Sequence, residues 1–166
     1  MDLELLKRIE KSSAHTLNRI ENGNFIVKND YLLPDLIEFC FITTHKLHIL
    51  ACCILEKVLE IRLDLSYQYL ELICQNISKL KNDSAIRSIS RFLMLMAKDN
   101  SSKNYLSKLQ KERIVEVCFD WLILDYRVAV KHNAILILYE LGKNHGWIYS
   151  ELKLILEKQI VESSPG

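Results

Sequence analysis

The stretches LHILACCI (residues 47–54), IRSISRFL (residues 86–93) and VKHNAILI (residues 130–137) resemble one another and decide the predicted fold. Each begins with an aliphatic residue followed by a basic or imidazole residue, and each has a small residue four positions after the first. The copies begin 39 and 44 residues apart. A helical unit that recurs at such a period buries its apolar face by packing against its neighbours. The repeat therefore predicts a stack of helical pairs and leaves the activity open.

Composition supports an all-α protein of one domain. The 166 residues include only 4 glycines and 2 prolines, too few turn residues for an all-β chain. Hydrophobic residues make up 49%, and this length is ample for one continuous core. The net charge of +1 lacks the excess of a general nucleic-acid binder, so electrostatic recognition would depend on local clusters.

The cysteines and the termini indicate the compartment. The five cysteines lie within apolar helical sequence without a C-x-x-C motif, which predicts buried, reduced thiols at Cys40, Cys52, Cys53, Cys74 and Cys118. The N-terminal sequence has no apolar signal-peptide run, and the apolar segment 47–55 is too short for a membrane span. We therefore expect a cytoplasmic protein without membrane association.

Capping and turn signals divide the single domain, residues 1–166, into predicted parts. These are a capping helix over 1–22, helix pairs over 31–62, 66–98 and 105–143, and a second capping helix over 147–161. Asn22-Gly23 is predicted to end a helix over 2–21, and 24–30 and 99–104 are predicted loops. Predicted helix starts are Pro34, Thr43 or Thr44, Ser66, Asn82 or Asp83, the capping box at Ser107, and Asp125. Gly142 or Asn144 is predicted to end the last inner helix.

The pattern of an aliphatic, a basic and then a small residue resembles the HEAT-like (armadillo/HEAT-type) family of α-helical repeats over residues 31–143. The best match is Val130-Lys131 with Ala134, and Asp125 lies near the helix start, where such repeats often carry an acid. The first copy has His48 where the family usually has arginine. The resemblance implies a short right-handed α-solenoid of about three antiparallel pairs, whose second helices line a concave face and whose terminal helices act as caps.

A basic strip is predicted along that concave face. A helical projection places Arg87, Arg91 and Lys98 within one narrow arc of the second inner helix. Aligning the three copies places His48, Arg87 and Lys131 in one row. Arg127 lies one turn before Lys131. The predicted partner-binding residues are therefore His48, Arg87, Arg91, Lys98, Arg127 and Lys131.

Two interpretations of this strip stay open. It could bind acidic side chains or phosphates of a partner, or its cations could pair with acids of neighbouring repeats. Because like charges repel, we expect Arg87 or Lys131 to contact Asp83 or Asp125, and Arg91 and Lys98 to stay exposed. Ile49 and Cys53 lie on the charged arc of the first inner helix, so they are either covered by the N-terminal helix or exposed for a partner.

A metal site is not predicted. His45, His48 and Cys52 fall on one side of a helix, but a closed site needs a fourth ligand and none is near in sequence.

Trp121 and Asp125, spaced W-x-x-x-D, carry a second resemblance. The alkyl-purine DNA glycosylases, which are built from HEAT-like repeats, use aromatic residues and an aspartate in their groove, and Arg127 and Trp147 would then be accessory groups. Against this, the chain is short and nearly neutral, whereas DNA binding needs an extended basic groove. Such a tryptophan is more often a core residue, and such an aspartate a helix cap.

The sequence has no glycine-rich phosphate loop, no G-x-S-x-G and no H-E-x-x-H motif. We therefore predict a non-enzymatic protein-interaction scaffold without a cofactor, binding a protein partner as a monomer or weak homodimer. The alternative is a nucleic-acid-binding or glycosylase-like protein that uses Trp121 and Asp125.

Overall fold

Helices form the part of the chain that the computed structural model describes, residues 2–13, 15–143 and 145–163, with no strand in these ranges. The prediction of an all-α fold with seven to nine helices is confirmed for them. The nine α-helices are α1 (Leu3–Lys11), α2 (Thr16–Lys28), α3 (Leu33–Cys40), α4 (His48–Ile61), α5 (Leu70–Asn76), α6 (Asp83–Lys103), α7 (Lys108–Ile123), α8 (Val128–Gly142) and α9 (Gly146–Ser163). Short 3₁₀ segments cover Asp30–Leu32, Leu63–Tyr69 and Ile77–Lys79.

The helices α2, α4, α6 and α8 form a row, here called the inner row, in which each helix packs against the next. From α6 to α8 the contacts run from Asp83–Arg127 through Ser90–Asn133 to Ser101–Glu140. They advance in the same direction along both helices, so α6 and α8 run parallel. Of the remaining helices, α7 packs mainly against α8 and also contacts α5 and α9, while α3 packs against α4. The right-handed solenoid of antiparallel pairs stays a prediction.

The aligned small residues of the three repeats lie at the centre of this packing. Ala51, Ser90 and Ala134 are all completely buried. The helix α6 contacts α4 on one side and α8 on the other, and it carries the largest fully buried side chain, Phe92. Small residues let the inner helices approach, and the surrounding aliphatic side chains fill the space between them.

The single N-terminal helix predicted over residues 2–21 is wrong, because two helices occupy this region. Asn18 Oδ1 accepts hydrogen bonds from the Ser12 hydroxyl and from the Ser13 amide, which favours the turn between α1 and α2. The predicted stop at Asn22-Gly23 lies inside α2, and the predicted loop 24–30 is helical to Lys28. A Cβ atom on Gly23 would lie 2.8 Å from Lys57 Cβ, so glycine at this position allows α2 to pack closely on α4.

Two predicted caps in the middle of the chain are also wrong. Neither Thr43 nor Thr44 begins a helix, since α4 starts at His48 after the turns that follow α3. Ser66 lies inside a 3₁₀ segment and donates its hydroxyl hydrogen bond to the Leu63 carbonyl.

The predicted loop 99–104 is helical up to Lys103, the last residue of α6, and Asn104 follows it in the left-handed conformation with φ of 49°. The hydroxyl of Ser101 donates to the Ala97 carbonyl of its own helix and lies 2.7 Å from Glu140 Oε2 of α8. Asp125 does not begin the next helix, because α8 starts at Val128 with Arg127 as the residue before it.

Four of the remaining boundary predictions are confirmed. Asn82 caps α6 by accepting hydrogen bonds from the amides of Ser84 and Ala85, and Ser107 forms a reciprocal capping box with Gln110. Pro34 lies in the first turn of α3, and Gly142 is the last residue of α8. Asn144, the other predicted terminator, lies outside the described residues.

The predictions for the thiols are confirmed as well, since all five cysteines are buried and free. Of the described helices, none combines the length and the apolar character that crossing a membrane requires.

Candidate interaction surface on the inner row

The predicted site residues lie on three helices of the inner row. The side chains of Arg91 and Lys98 are exposed on α6, as predicted, and Arg87 is half-buried one turn before Arg91. On α8, Arg127 is exposed at the helix start and Lys131 is half-buried one turn later. The face of α6 and α8 that carries these five cations is called the α6–α8 face below.

His48 does not belong to this surface, because it is only 4% exposed. Its Nδ1 lies 3.1 Å from the Cys40 carbonyl, which accepts a hydrogen bond from the ring. The Cys52 thiol, 3.6 Å from the same carbonyl, also donates to it. The adjacent Cys52 side chain is the main cause that raises the pKa of His48, against the opposing effect of burial. Because His48 is buried, the predicted row of His48, Arg87 and Lys131 is not continuous on the surface.

The three possible ligands singled out in the sequence, His45, His48 and Cys52, do not converge in the structure. Within the part of the chain that is described, no three His, Cys, Asp or Glu side chains are placed to hold a metal ion. His45 is exposed and packs its ring against that of Phe39, with ring centroids 5.1 Å apart.

Two of the predicted cations have internal partners. Arg91 Nε lies 3.4 Å from Glu60 Oε1 of α4, and Arg127 Nε lies 3.3 Å from Asp83 Oδ2 of α6. Glu60 also pairs with Lys57 of its own helix. For these positions the alternative of pairing between neighbouring helices holds, and such exposed pairs contribute about 0–1 kcal/mol each to stability.

Arg87 and Lys131 have no carboxylate within 4 Å among the described residues. The prediction that one of them contacts Asp83 or Asp125 is therefore wrong, since Asp83 pairs with Arg127 instead. Arg87 lies one turn after Asp83, and Lys131 one turn after Arg127, so both cations lie one turn beyond the Asp83–Arg127 contact on two parallel helices. Because no carboxylate lies within 4 Å to neutralise them, these two positive charges favour an anionic partner.

Lys98 lies near the other end of the α6–α8 face. There Glu140 pairs with Lys143 and accepts a hydrogen bond from Ser101. The hydrogen bond with Lys143 is the main cause that lowers the pKa of Glu140, and the charge of Lys98 adds to it. Lys98 itself forms no ion pair within 4 Å in the described ranges, so its ammonium group is available to a partner.

Cys53 is covered and not exposed for a partner. It is 5% exposed, and the Ser88 hydroxyl of α6 donates to its sulfur at 3.4 Å. Cys53 is thus covered by the neighbouring inner helix α6. Ile49, on the same helix as Cys53, is half-buried.

The residues of the glycosylase-like alternative are divided between core and surface. Trp121 is 2% exposed within α7, whereas Asp125 is exposed in the turn between α7 and α8. The proposed accessory groups have other contacts, Arg127 with Asp83 and Trp147 with Phe119. A base could stack on Trp121 only if the core opened.

The sequence interpretation missed a second surface. A cleft of about 930 Å³ lies between α7 and the start of α9, and its apolar lining includes Val115, Phe119, Leu141, Trp147 and Ile148. Three acids line it at every fourth position of α7, Glu112, Glu116 and Asp120. This spacing was visible in the sequence, but the exposure of Trp147, at 56%, depends on how α9 packs on α7 and α8.

No protein-family model matches this chain, and no curated protein or solved structure is significantly similar to it.

Proposed function

We propose that the chain is a non-enzymatic, HEAT-like interaction module that acts in the cytoplasm and binds an acidic segment of a protein partner. In this proposal the helix pairs form a short right-handed α-solenoid, and the α6–α8 face is the binding surface. The parallel register of α6 and α8 and the complete burial of Ala51, Ser90 and Ala134 support equivalent repeats.

The observation that carries the proposal is the uncompensated positive charge of Arg87 and Lys131. Arg91 and Arg127 face carboxylates, but Arg87 and Lys131 have no acid within 4 Å in the described residues. Lys98 adds a third cation with no ion pair, and Met94, half-buried between Arg91 and Lys98 on α6, offers apolar contact area. An acidic peptide with an apolar side chain would satisfy both features.

A protein partner fits this face better than a nucleic acid. Carboxylates of Glu60, Asp83 and Glu140 are interspersed among the cations, and they would repel a continuous phosphate backbone. A duplex binder neutralises a row of phosphates, which the charge pattern of this face does not match.

A binding experiment with defined probes tests the proposal. We expect a labelled peptide of glutamate and leucine residues to bind more tightly than its glutamine counterpart or a random DNA duplex. Arg87→Glu with Lys131→Glu should weaken peptide binding about tenfold, because the peptide would then face two repelling charges. The measurement is fluorescence anisotropy at two salt concentrations.

The matched control is Lys28→Glu with Lys46→Glu, which changes the net charge equally at exposed positions outside the α6–α8 face. Equal losses in both variants would show only an effect of net charge and would contradict the proposed surface. Tighter, strongly salt-dependent binding of the duplex would favour the nucleic-acid alternative.

A further inference from the structure

The cleft between α7 and α9 has an apolar floor and an exposed aromatic wall. Trp147 stands at the start of α9 with 56% of its surface exposed, and its ring centroid lies 6.2 Å from that of Phe119. Val115, Leu141 and Ile148 of the lining are buried residues. A large aromatic side chain left exposed beside buried apolar residues is typical of a contact site for another molecule.

The charges around this cleft are not balanced. Lys108 lies 3.8 Å from Glu112, and Lys111 donates a hydrogen bond to Asn104 Oδ1 at 2.9 Å. Glu116 and Asp120 are exposed and have no cation within 4 Å among the described residues. The end of the cleft beside Phe119 and Trp147 therefore carries two uncompensated negative charges.

We propose that this cleft binds a basic, amphipathic segment of a second protein. An aliphatic side chain of that segment would occupy the space beside Phe119 and Trp147, and its Lys or Arg side chains would face Glu116 and Asp120. The indole of Trp147 adds a favourable face for a cation. The carboxylates select a basic occupant over an acidic one, because an acidic segment would meet like charges.

This inference is independent of the proposed function, because it concerns another surface with the opposite charge. The α6–α8 face selects an anionic segment through Arg87 and Lys131, whereas the cleft selects a cationic one. Failure of one proposal would leave the other intact, and the two probes are different peptides.

The experiment uses a synthetic helical peptide of lysine and leucine residues and follows the intrinsic fluorescence of the full chain. The sequence contains 2 tryptophans, of which Trp121 is buried, so a change on binding reports on Trp147. We expect saturable binding of this peptide. A glutamate–leucine peptide and a lysine–serine peptide should bind at least tenfold more weakly, the first through charge repulsion and the second through loss of the apolar contact.

Variants separate the two contributions to binding and use anisotropy of the labelled peptide. Trp147→Ala should weaken binding about 30-fold, as expected for an exposed aromatic anchor. Glu116→Gln with Asp120→Asn should weaken it about tenfold and reduce its salt dependence. Glu10→Gln with Glu38→Gln, the same charge change at exposed positions of α1 and α3, should leave it unchanged.

Three outcomes would overturn the proposal. The first is equal binding of the acidic and basic peptides, and the second is binding that Trp147→Ala leaves unchanged in a variant with wild-type circular dichroism. The third is concentration-dependent self-association that disappears in Trp147→Ala, because the occupant would then be a second copy of this chain.

Discussion

The interface of α2 with α4 and the interface of α6 with α8 both bury polar side chains, but these side chains are charged in the first and neutral in the second. Between α2 and α4, Arg19 Nη1 lies 3.8 Å from Glu56 Oε2, and Glu56 is only 4% exposed. Between α6 and α8, Asn133 Nδ2 donates to Ser90 Oγ at 3.0 Å, and both residues are buried and neutral. One interface depends on a buried charge, the other on a neutral hydrogen bond.

The two interfaces should therefore differ in which substitutions destabilise them most. The buried atoms Arg19 Nε and Glu56 Oε2 have no hydrogen-bond partner among the described residues, so charge attraction alone holds that side of the carboxylate. Removal of either partner leaves a buried charge with less compensation, which is costly. Removal of one partner of a neutral hydrogen bond costs less, because only a polar group has to stay desolvated.

The largest effect is expected for Arg19→Leu. Glu56 would keep only Lys57, whose Nζ lies 3.6 Å from Glu56 Oε1. We expect the free energy of unfolding to fall by about 3 kcal/mol, the lower end of the range for broken buried ion pairs, because this one cation remains. Urea denaturation at neutral pH measures it.

The matched double variant, Arg19→Leu with Glu56→Leu, separates the effect of charge from the effect of packing. It removes both charges and should recover most of the stability, since apolar pairs of similar volume often replace buried ion pairs without loss. A double variant as unstable as the sum of the two single variants would show that packing, and not charge, matters at this interface.

A smaller effect is expected for Ser90→Ala in the neutral interface. The change leaves the Asn133 amide without its acceptor and should reduce the free energy of unfolding by about 1 kcal/mol. Denaturation under the same conditions as for Arg19→Leu measures the ratio of the two effects. A loss equal to that of Arg19→Leu would contradict the distinction between the two interfaces.

The smallest effect is expected for Glu140→Gln, at the exposed end of the α6–α8 interface. The pKa of Glu140 is lowered from 4.5 in the folded protein, chiefly by Lys143. Its contribution to stability is therefore present above that ordinary value and is lost as the pH falls through the folded-state pKa. We expect a loss below about 1 kcal/mol at pH 7 that becomes smaller as the pH falls below 4.5. Thermal denaturation across this pH range measures it, with Glu10→Gln as the control.

Much of the fold could be predicted from local signals in the sequence. The side chain of Asn82 and the pair of Ser107 and Gln110 act within one helical turn, so their capping could be predicted from sequence. The period of the repeats likewise located the inner helices α4, α6 and α8. These features depend on neighbours in the chain and need no knowledge of distant contacts.

Long-range contacts explain the wrong predictions. Helix α6 continues through Ser101 and Ser102, whose hydroxyl groups bond to carbonyls within the helix, while Ser101 also reaches α8. His48 matches the basic positions of the other repeats, but the turn after α3 brings the Cys40 carbonyl to its ring and buries it. The pairing of Asp83 with Arg127 depends on the register of two helices and was likewise not visible in the sequence.

Gly23 has a consequence for how freely this chain can vary. A Cβ atom there would meet Lys57 Cβ at 2.8 Å and the Lys57 backbone carbon at 3.3 Å, so any side chain must push α2 away from α4. At Gly146 a Cβ atom would have no neighbour within 4 Å. In a library of all single substitutions selected for folding, position 23 should therefore retain glycine alone, whereas position 146 should accept many residues. Asn22-Gly23, which was predicted from the sequence to end a helix, would then contain the least replaceable position on α2.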